Sequence, residues 1–205
     1  MSETFGKHPS KKLQEIFQQR PFQIQEPEKA KVIFLSLDAN FDENIEDNSS
    51  YFNETLRYLS DGVKYWESEN AHTPMMKAYY HGGGKTYHRN FAKLGLTANN
   101  AKDICFMELL NVCTFGNSTK CRKEYNELLK LAEKEKHLER ISNLAKDKTK
   151  LVVIVGAKTK EYIQKKDLFN LNADNIIQCK HFSDAISNEY LYNLGKTIKE
   201  YLLTH

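Results

Sequence analysis

The stretch KVIFLSLDANF, residues 31–41, contains a continuous apolar run that ends at a carboxylate, Asp38. The run VIFL is typical of a strand that is buried on both faces of a parallel sheet. A charged residue directly after such a strand lies at the carboxyl edge of the sheet, where open α/β proteins bind ligands. Asp38 is therefore a candidate functional residue, although a carboxylate here could also simply cap the next segment.

Apolar runs recur along the chain between stretches with helical spacing. The further predicted strands are residues 104–112, 151–155 and 175–179, and the longest helical region is residues 120–146. This alternation predicts an α/β fold, a three-layer α/β/α arrangement with a central four-stranded parallel sheet. Residues 1–30 are expected to form an N-terminal arm, with a short helix over 11–19, packed on a single domain of residues 31–205.

Composition sets broad limits on function. The chain has 205 residues, of which 40% are apolar, and a formal net charge of +3. That mild charge permits a nucleic-acid or phosphate partner without requiring one. The four cysteines lack metal-finger spacing, so we expect reduced thiols in a cytoplasmic protein. The amino terminus lacks the apolar core of a signal peptide, and no apolar run has the length of a membrane span.

Three predicted strands end in a distinctive polar residue: Asp38, Asn111 and His181. The carboxyl ends of parallel strands meet at one edge, so these side chains are expected to converge. A carboxylate can orient water, an amide can pair with the edge of a base, and an imidazole can donate a hydrogen bond to a developing oxyanion. Taken singly, Asn111 could be a turn residue and His181 a satisfied core or surface histidine.

A glycine triplet, Gly82, Gly83 and Gly84, precedes Lys85 and a predicted helix over residues 87–94. Consecutive glycines let the backbone approach a ligand closely, although they could also form only a flexible turn. The string GGGKT is not a P-loop, because that motif needs a glycine where Tyr79 stands and no clear strand leads into it.

Five motifs in this order resemble those of the uracil-DNA glycosylase superfamily, as a divergent member without an iron–sulfur cluster. They are SLDANF (36–41), GGGKTYHRNFAKLGL (82–96), FMELLNVCTFG (106–116), LVVIVGAKTKEYI (151–163) and IIQCKHFSDAIS (176–187). The resemblance implies that Asp38 positions water and stabilises a sugar cation, that Asn111 reads the base edge, and that His181 hydrogen-bonds the leaving base. Phe41 is our candidate for the aromatic that stacks on the base, with Tyr51 or Phe52 behind it.

The resemblance also implies DNA contacts and shows departures. Backbone amides of the glycine triplet, with Lys85 and Ser183, would hold phosphates, and Ile186 would be a wedge unless it is a core residue of the last helix. Asn40 stands at the base-binding position where other members have a tyrosine that excludes thymine, so the preferred base is left open.

The expected function is that of a monofunctional DNA glycosylase in base-excision repair. It would flip a damaged base, uracil first, out of DNA and hydrolyse the base–sugar bond. The expected partner is DNA containing a damaged base, with no metal or other cofactor and no membrane, and the protein is expected to be a monomer. The alternatives are a nucleic-acid-binding module of the same fold with weak or no catalysis, and a glycosylase for another deaminated base.

Overall fold

A computed structural model describes residues 4–80, 82 and 84–205. In this part of the chain, the strands are β1 (Phe5–Lys7), β2 (Gln23–Ile24), β3 (Val32–Ser36), β4 (Ala39–Asn40), β5 (Ile104–Glu108), β6 (Cys113–Gly116), β7 (Leu151–Val155) and β8 (Ile176–Cys179). The helices are α1 (Lys11–Gln19), α2 (Ser49–Ser60), α3 (Gly62–Glu69), α4 (Lys85–Ala92), α5 (Arg122–Lys134), α6 (His137–Lys146), α7 (Ala157–Lys166) and α8 (Asn188–Thr204). Short 3-10 helices lie at Ile45–Asp47, Pro74–Met76 and Ala98–Asp103.

The main sheet has five strands in the order β2-β5-β3-β7-β8. Strand β3 pairs in parallel with β5 and β7, and β7 pairs in parallel with β8. The predicted α/β class is confirmed. The predicted four-stranded, all-parallel sheet is corrected to a five-stranded mixed one, because β2 from the N-terminal arm adds antiparallel to β5.

Helices pack on both faces of this sheet, and the continuous apolar run in β3 explains why. Val32 and Phe34 belong to one buried cluster, which includes side chains from α1, α2, α3, α4 and α8. Ile33 and Leu35 point the other way into a second cluster, with side chains from α5, α6 and α7. Each such side chain contributes about 1.5–3 kcal/mol when it is fully buried.

Residues 120–146 form two helices rather than the one helical region that the sequence predicts. α5 ends before Lys136, whose φ of +62° lies in the left-handed region, and α6 begins at His137. His137 then buries its ring and hydrogen-bonds the backbone oxygen of Glu108, with 2.8 Å between Nε2 and that oxygen. The break therefore ties α6 to the end of β5.

A second, three-stranded sheet stands at the carboxyl edge of the main one, in the order β1-β6-β4. The sequence predicts a polar turn where β6 lies, and this is wrong because β6 pairs with β1 and β4. The N-terminal arm thus adds a strand to each sheet. The predicted arm helix over residues 11–19 is confirmed as α1, capped by the Ser10 hydroxyl.

Cys105, Cys113 and Cys179 are buried free thiols. Among the described residues, no helix combines the length and the apolar character needed to cross a bilayer.

Candidate functional site

A cavity of about 910 Å³ opens at the carboxyl edge of the main sheet. Its wall includes residues that follow or end four strands: Asp38 after β3, Glu108 in β5, Gly156 after β7 and His181 after β8. The volume is in the range of small-molecule sites and suits a nucleotide-sized group. The cavity therefore lies at the carboxyl edge of the sheet, where the sequence predicts a site.

Asp38 is held by the second sheet through one carboxylate oxygen. The Thr114 hydroxyl donates to Oδ2 at 2.6 Å, and the Asn40 amide Nδ2 donates to the same atom at 3.2 Å. The Asn40 amide also donates to the backbone oxygen of Gly116 at 2.9 Å, which fixes its own orientation. No described residue hydrogen-bonds Oδ1, so that oxygen is available to a water or a substrate.

His181 lies on the same cavity with one ring nitrogen engaged. The backbone N–H of Ser183 donates to Nδ1 at 3.3 Å, which leaves the proton on Nε2. Burial lowers the pKa of His181 below its ordinary value, more than the carboxylates of Asp184 and Asp38 raise it. The ring is therefore neutral at pH 7 and presents Nε2–H as a hydrogen-bond donor.

Two contacts hold the segment that carries His181. Asn90 in α4 donates from Nδ2 to the backbone oxygen of Phe182 at 2.7 Å, in a buried position. The Tyr87 ring lies 5.3 Å from the His181 ring, between centroids, and the Tyr87 hydroxyl is 3.3 Å from the hydroxyl of Ser36. The loop after β8 is thus fixed to α4 and, through Tyr87, to the end of β3.

The predicted base-binding residues Phe41 and Asn40 both line the cavity. Phe41 is buried and remains our stacking candidate, whereas Tyr51 and Phe52 lie behind the wall. Tyr51 stacks on Tyr80, with 4.6 Å between the ring centroids, and Tyr80 itself lines the cavity. The aromatic side of the pocket thus has two layers.

Asn111, in contrast, does not reach the cavity. Strand β5 ends at Glu108, so Asn111 lies beyond the strand end rather than at it. Its side chain donates to the Glu135 carboxylate just after α5, and it is absent from the cavity wall. The predicted convergence of Asp38, Asn111 and His181 is therefore corrected to a pairing of Asp38 with His181.

Glu108 lies at the carboxyl end of β5, the position that the sequence predicts for Asn111. It is opposite Ser36 in the parallel register, buried, and part of the cavity wall. Burial, with a smaller contribution from the Asp38 charge, raises the pKa of Glu108 to about 8, against a hydrogen bond from Gln23 that lowers it. The sequence does contain a signal for Glu108 as a candidate functional residue. It is a charged residue within the apolar run ICFMELL, and buried strands rarely contain one.

Of the residues predicted to hold phosphates, some line the cavity and others do not. Gly84, with φ of +86°, and Ser183 line the cavity, whereas Gly83 lies outside the described residues. Gly82 is exposed, and a Cβ there would lie 2.7 Å from the Tyr80 hydroxyl. Gly82 and the side chain of Lys85 are not part of the cavity wall.

Lys85 and Ile186 are engaged elsewhere. The Lys85 ammonium donates to the backbone oxygens of Tyr80 and Lys77, so it ties the loop together instead of pointing to open solvent. Ile186 is partly buried against the core cluster and does not line the cavity. Ile186 therefore packs against the core just before α8 begins, and its role as a wedge stays a prediction.

Comparison of the chain with protein-family models, curated proteins and solved structures found no match. The fold and the pocket define an α/β protein with a cavity at the carboxyl edge of its sheet. The likeness to the glycosylase superfamily rests on the motifs quoted above.

Proposed function

We propose that the protein is a monofunctional DNA glycosylase that hydrolyses the bond between a damaged base and its sugar, with uracil as the first candidate. One observation carries this proposal: Asp38 and His181 line one nucleotide-sized cavity, with Oδ1 and Nε2–H free of partners among the described residues. A carboxylate and a neutral imidazole facing one ligand suit a reaction that forms a sugar cation and an anionic leaving base.

The reaction would proceed on a base that is flipped out of DNA, since the base–sugar bond is unreachable within the stack. The bond from the sugar carbon to the base nitrogen breaks, and its electron pair leaves with the base. Asp38 stabilises the positive charge on the sugar and directs a water to the same carbon. As the water bonds to the sugar carbon, it passes one proton through Asp38 to solvent, and the released anionic base takes up one proton, so the net reaction adds one water across the bond. His181 donates a hydrogen bond to a base oxygen as negative charge develops there.

The contacts to DNA are proposed from the cavity rim. Ser183, Lys158 and Gly84, the N-cap residue of α4, line the cavity. Contacts of this kind to phosphates position the strand without selecting a sequence. Phe41 would stack on the flipped base from the aromatic side of the cavity.

The test is a gel assay on an oligonucleotide that contains one uracil, with alkali cleavage to reveal the abasic site. Wild-type protein should give cleavage, and Asp38→Asn should give far less. Salt-dependent DNA binding without base release would favour the binding-module alternative. Release of hypoxanthine but not uracil from a matched oligonucleotide would reassign the lesion while keeping the reaction.

A further inference from the structure

Glu108 is a buried carboxyl group with an incomplete set of hydrogen bonds. Only 4% of its surface is exposed, and it forms part of the cavity wall. Oε1 accepts a hydrogen bond from Gln23 Nε2 at 2.8 Å, and no described residue pairs with Oε2. A buried polar atom without a partner is unfavourable, and because Glu108 belongs to the cavity wall, a bound ligand could supply the missing partner.

The surroundings of Glu108 decide which oxygen carries a proton. Tyr58 donates its hydroxyl to Gln23 Oε1 at 3.1 Å, which turns the Gln23 amide N–H toward Glu108. Oε1 is therefore the acceptor, and Oε2 is left to carry the hydroxyl when the group is neutral.

The titratable groups around Glu108 favour the neutral form at pH 7. Burial first, and then the Asp38 charge, raise the pKa of Glu108 to about 8. The other interacting groups are neutral at pH 7, because burial raises the pKa of each above its ordinary value: Cys105, Cys113, Tyr58 and Tyr87. His88, on the same cavity wall, is also neutral, since burial lowers its pKa to about 3.

We infer that Glu108 selects the base, with its Oε2 hydroxyl donating a hydrogen bond to an exocyclic carbonyl oxygen. This inference rests on the proposed function and gives Glu108 the base-reading role that the motif resemblance assigns to Asn111. The Oε2 hydroxyl donates to the carbonyl oxygen of a deaminated base, whereas the amino group of the parent base would point its own N–H at the same hydroxyl proton. The ligand class is therefore bases that carry a carbonyl where the parent base has an amine, such as uracil in place of cytosine.

Two substitutions separate this role from simple packing. Glu108→Gln keeps an acceptor for Gln23 and places an N–H donor at the position of Oε2, with no titration. Glu108→Met fills a similar volume without any donor. The amide variant should bind uracil at all pH values, and the thioether variant should lose its preference for uracil over cytosine.

The test is calorimetric titration of the full chain with free uracil and free cytosine, at about pH 6.5 and about pH 9. With a pKa of about 8, only about one-tenth of Glu108 is protonated at the higher pH. Wild type should therefore lose about tenfold in uracil affinity, whereas Glu108→Gln should lose far less. Absence of uracil binding, equal binding of the two bases, or the same loss in Glu108→Gln would overturn the inference.

Base release from uracil-containing DNA, measured on the same proteins, separates this inference from the proposed function. If uracil binds as expected but no protein releases it, the glycosylase proposal fails and the role of Glu108 stands. If wild type and Glu108→Met release uracil equally well and select it equally against cytosine, the inference fails and the glycosylase proposal stands.

Discussion

Gly156, at the end of β7, lies directly against His181, after β8. A Cβ built at Gly156 would be 3.1 Å from the Cβ of His181 and 3.2 Å from its ring Cδ2. Gly156 also has φ of +90°, in the region that residues with a side chain rarely adopt. The glycine that follows β7 therefore leaves room for the His181 imidazole beside it.

Gly156→Ala should displace His181 and strain the end of β7. We expect base release to fall by at least about tenfold, and the free energy of unfolding to fall by about 1–2 kcal/mol. Single-turnover kinetics and urea unfolding measure the two effects. Gly6→Ala is the matched control, because a Cβ there meets only Phe115, at 3.5 Å. Full activity in Gly156→Ala would show that this contact does not position the ring.

His181→Ala should slow base release by about 10² to 10³, since it removes a donor aimed at the leaving group. The unfolding midpoint should change little, because the ring makes one hydrogen bond, to the Ser183 N–H. The control is His205→Ala, at the exposed end of α8. A His181→Ala rate within twofold of wild type would exclude the proposed role.

Asn90→Ala should act through the loop that carries His181. Loss of the buried bond to the Phe182 oxygen leaves that oxygen without its donor and should cost about 1–3 kcal/mol of unfolding free energy. If Asn90 positions His181, kcat should fall while KM stays close to the wild-type value. Asn99→Ala, at an exposed position of the 3-10 helix Ala98–Asp103, serves as the control. A stability loss without any change in kcat would assign Asn90 a purely structural role.

Glu108 should make stability fall as pH rises. Its pKa is about 8 in the folded protein and near 4.5 when unfolded, so between these values the folded state binds more protons. The unfolding free energy then decreases with pH across this window, by about 2–4 kcal/mol from this group. Urea unfolding of Glu108→Gln at several pH values should show a shallower decrease than wild type. If the unfolding free energies of the two proteins change in parallel with pH, a group other than Glu108 titrates in this range.

The strands with continuous apolar runs could be predicted from sequence, because burial on both faces leaves a clear pattern. Asp38 and His181 follow β3 and β8 directly, so their positions on one edge also follow from sequence. The end of β5 could not be placed, since the apolar run continues through Leu109 and Leu110 after the strand has ended at Glu108. That error placed Asn111 at the strand end, where the structure has Glu108.

Contacts between residues far apart in the chain explain the other differences between the structure and the sequence-based predictions. Strand β6 reads as a polar turn by itself, and it is a strand because β1, from the distant N-terminal arm, and β4 both pair with it. The break between α5 and α6 occurs without glycine or proline, at Lys136, where His137 is drawn to the backbone of Glu108. The carbonyl partners of Lys85 likewise depend on the path of the preceding loop.

The proposed reaction requires Asp38 and His181 to act together on a base–sugar bond. Free uracil, quantified by mass spectrometry after single-turnover incubation with uracil-containing DNA, reports that reaction. We expect release by wild type, a rate lower by about 10² to 10³ in Asp38→Asn, and an unchanged rate in the exposed control Asp174→Asn. No free uracil from wild type, or equal release by Asp38→Asn, would contradict it.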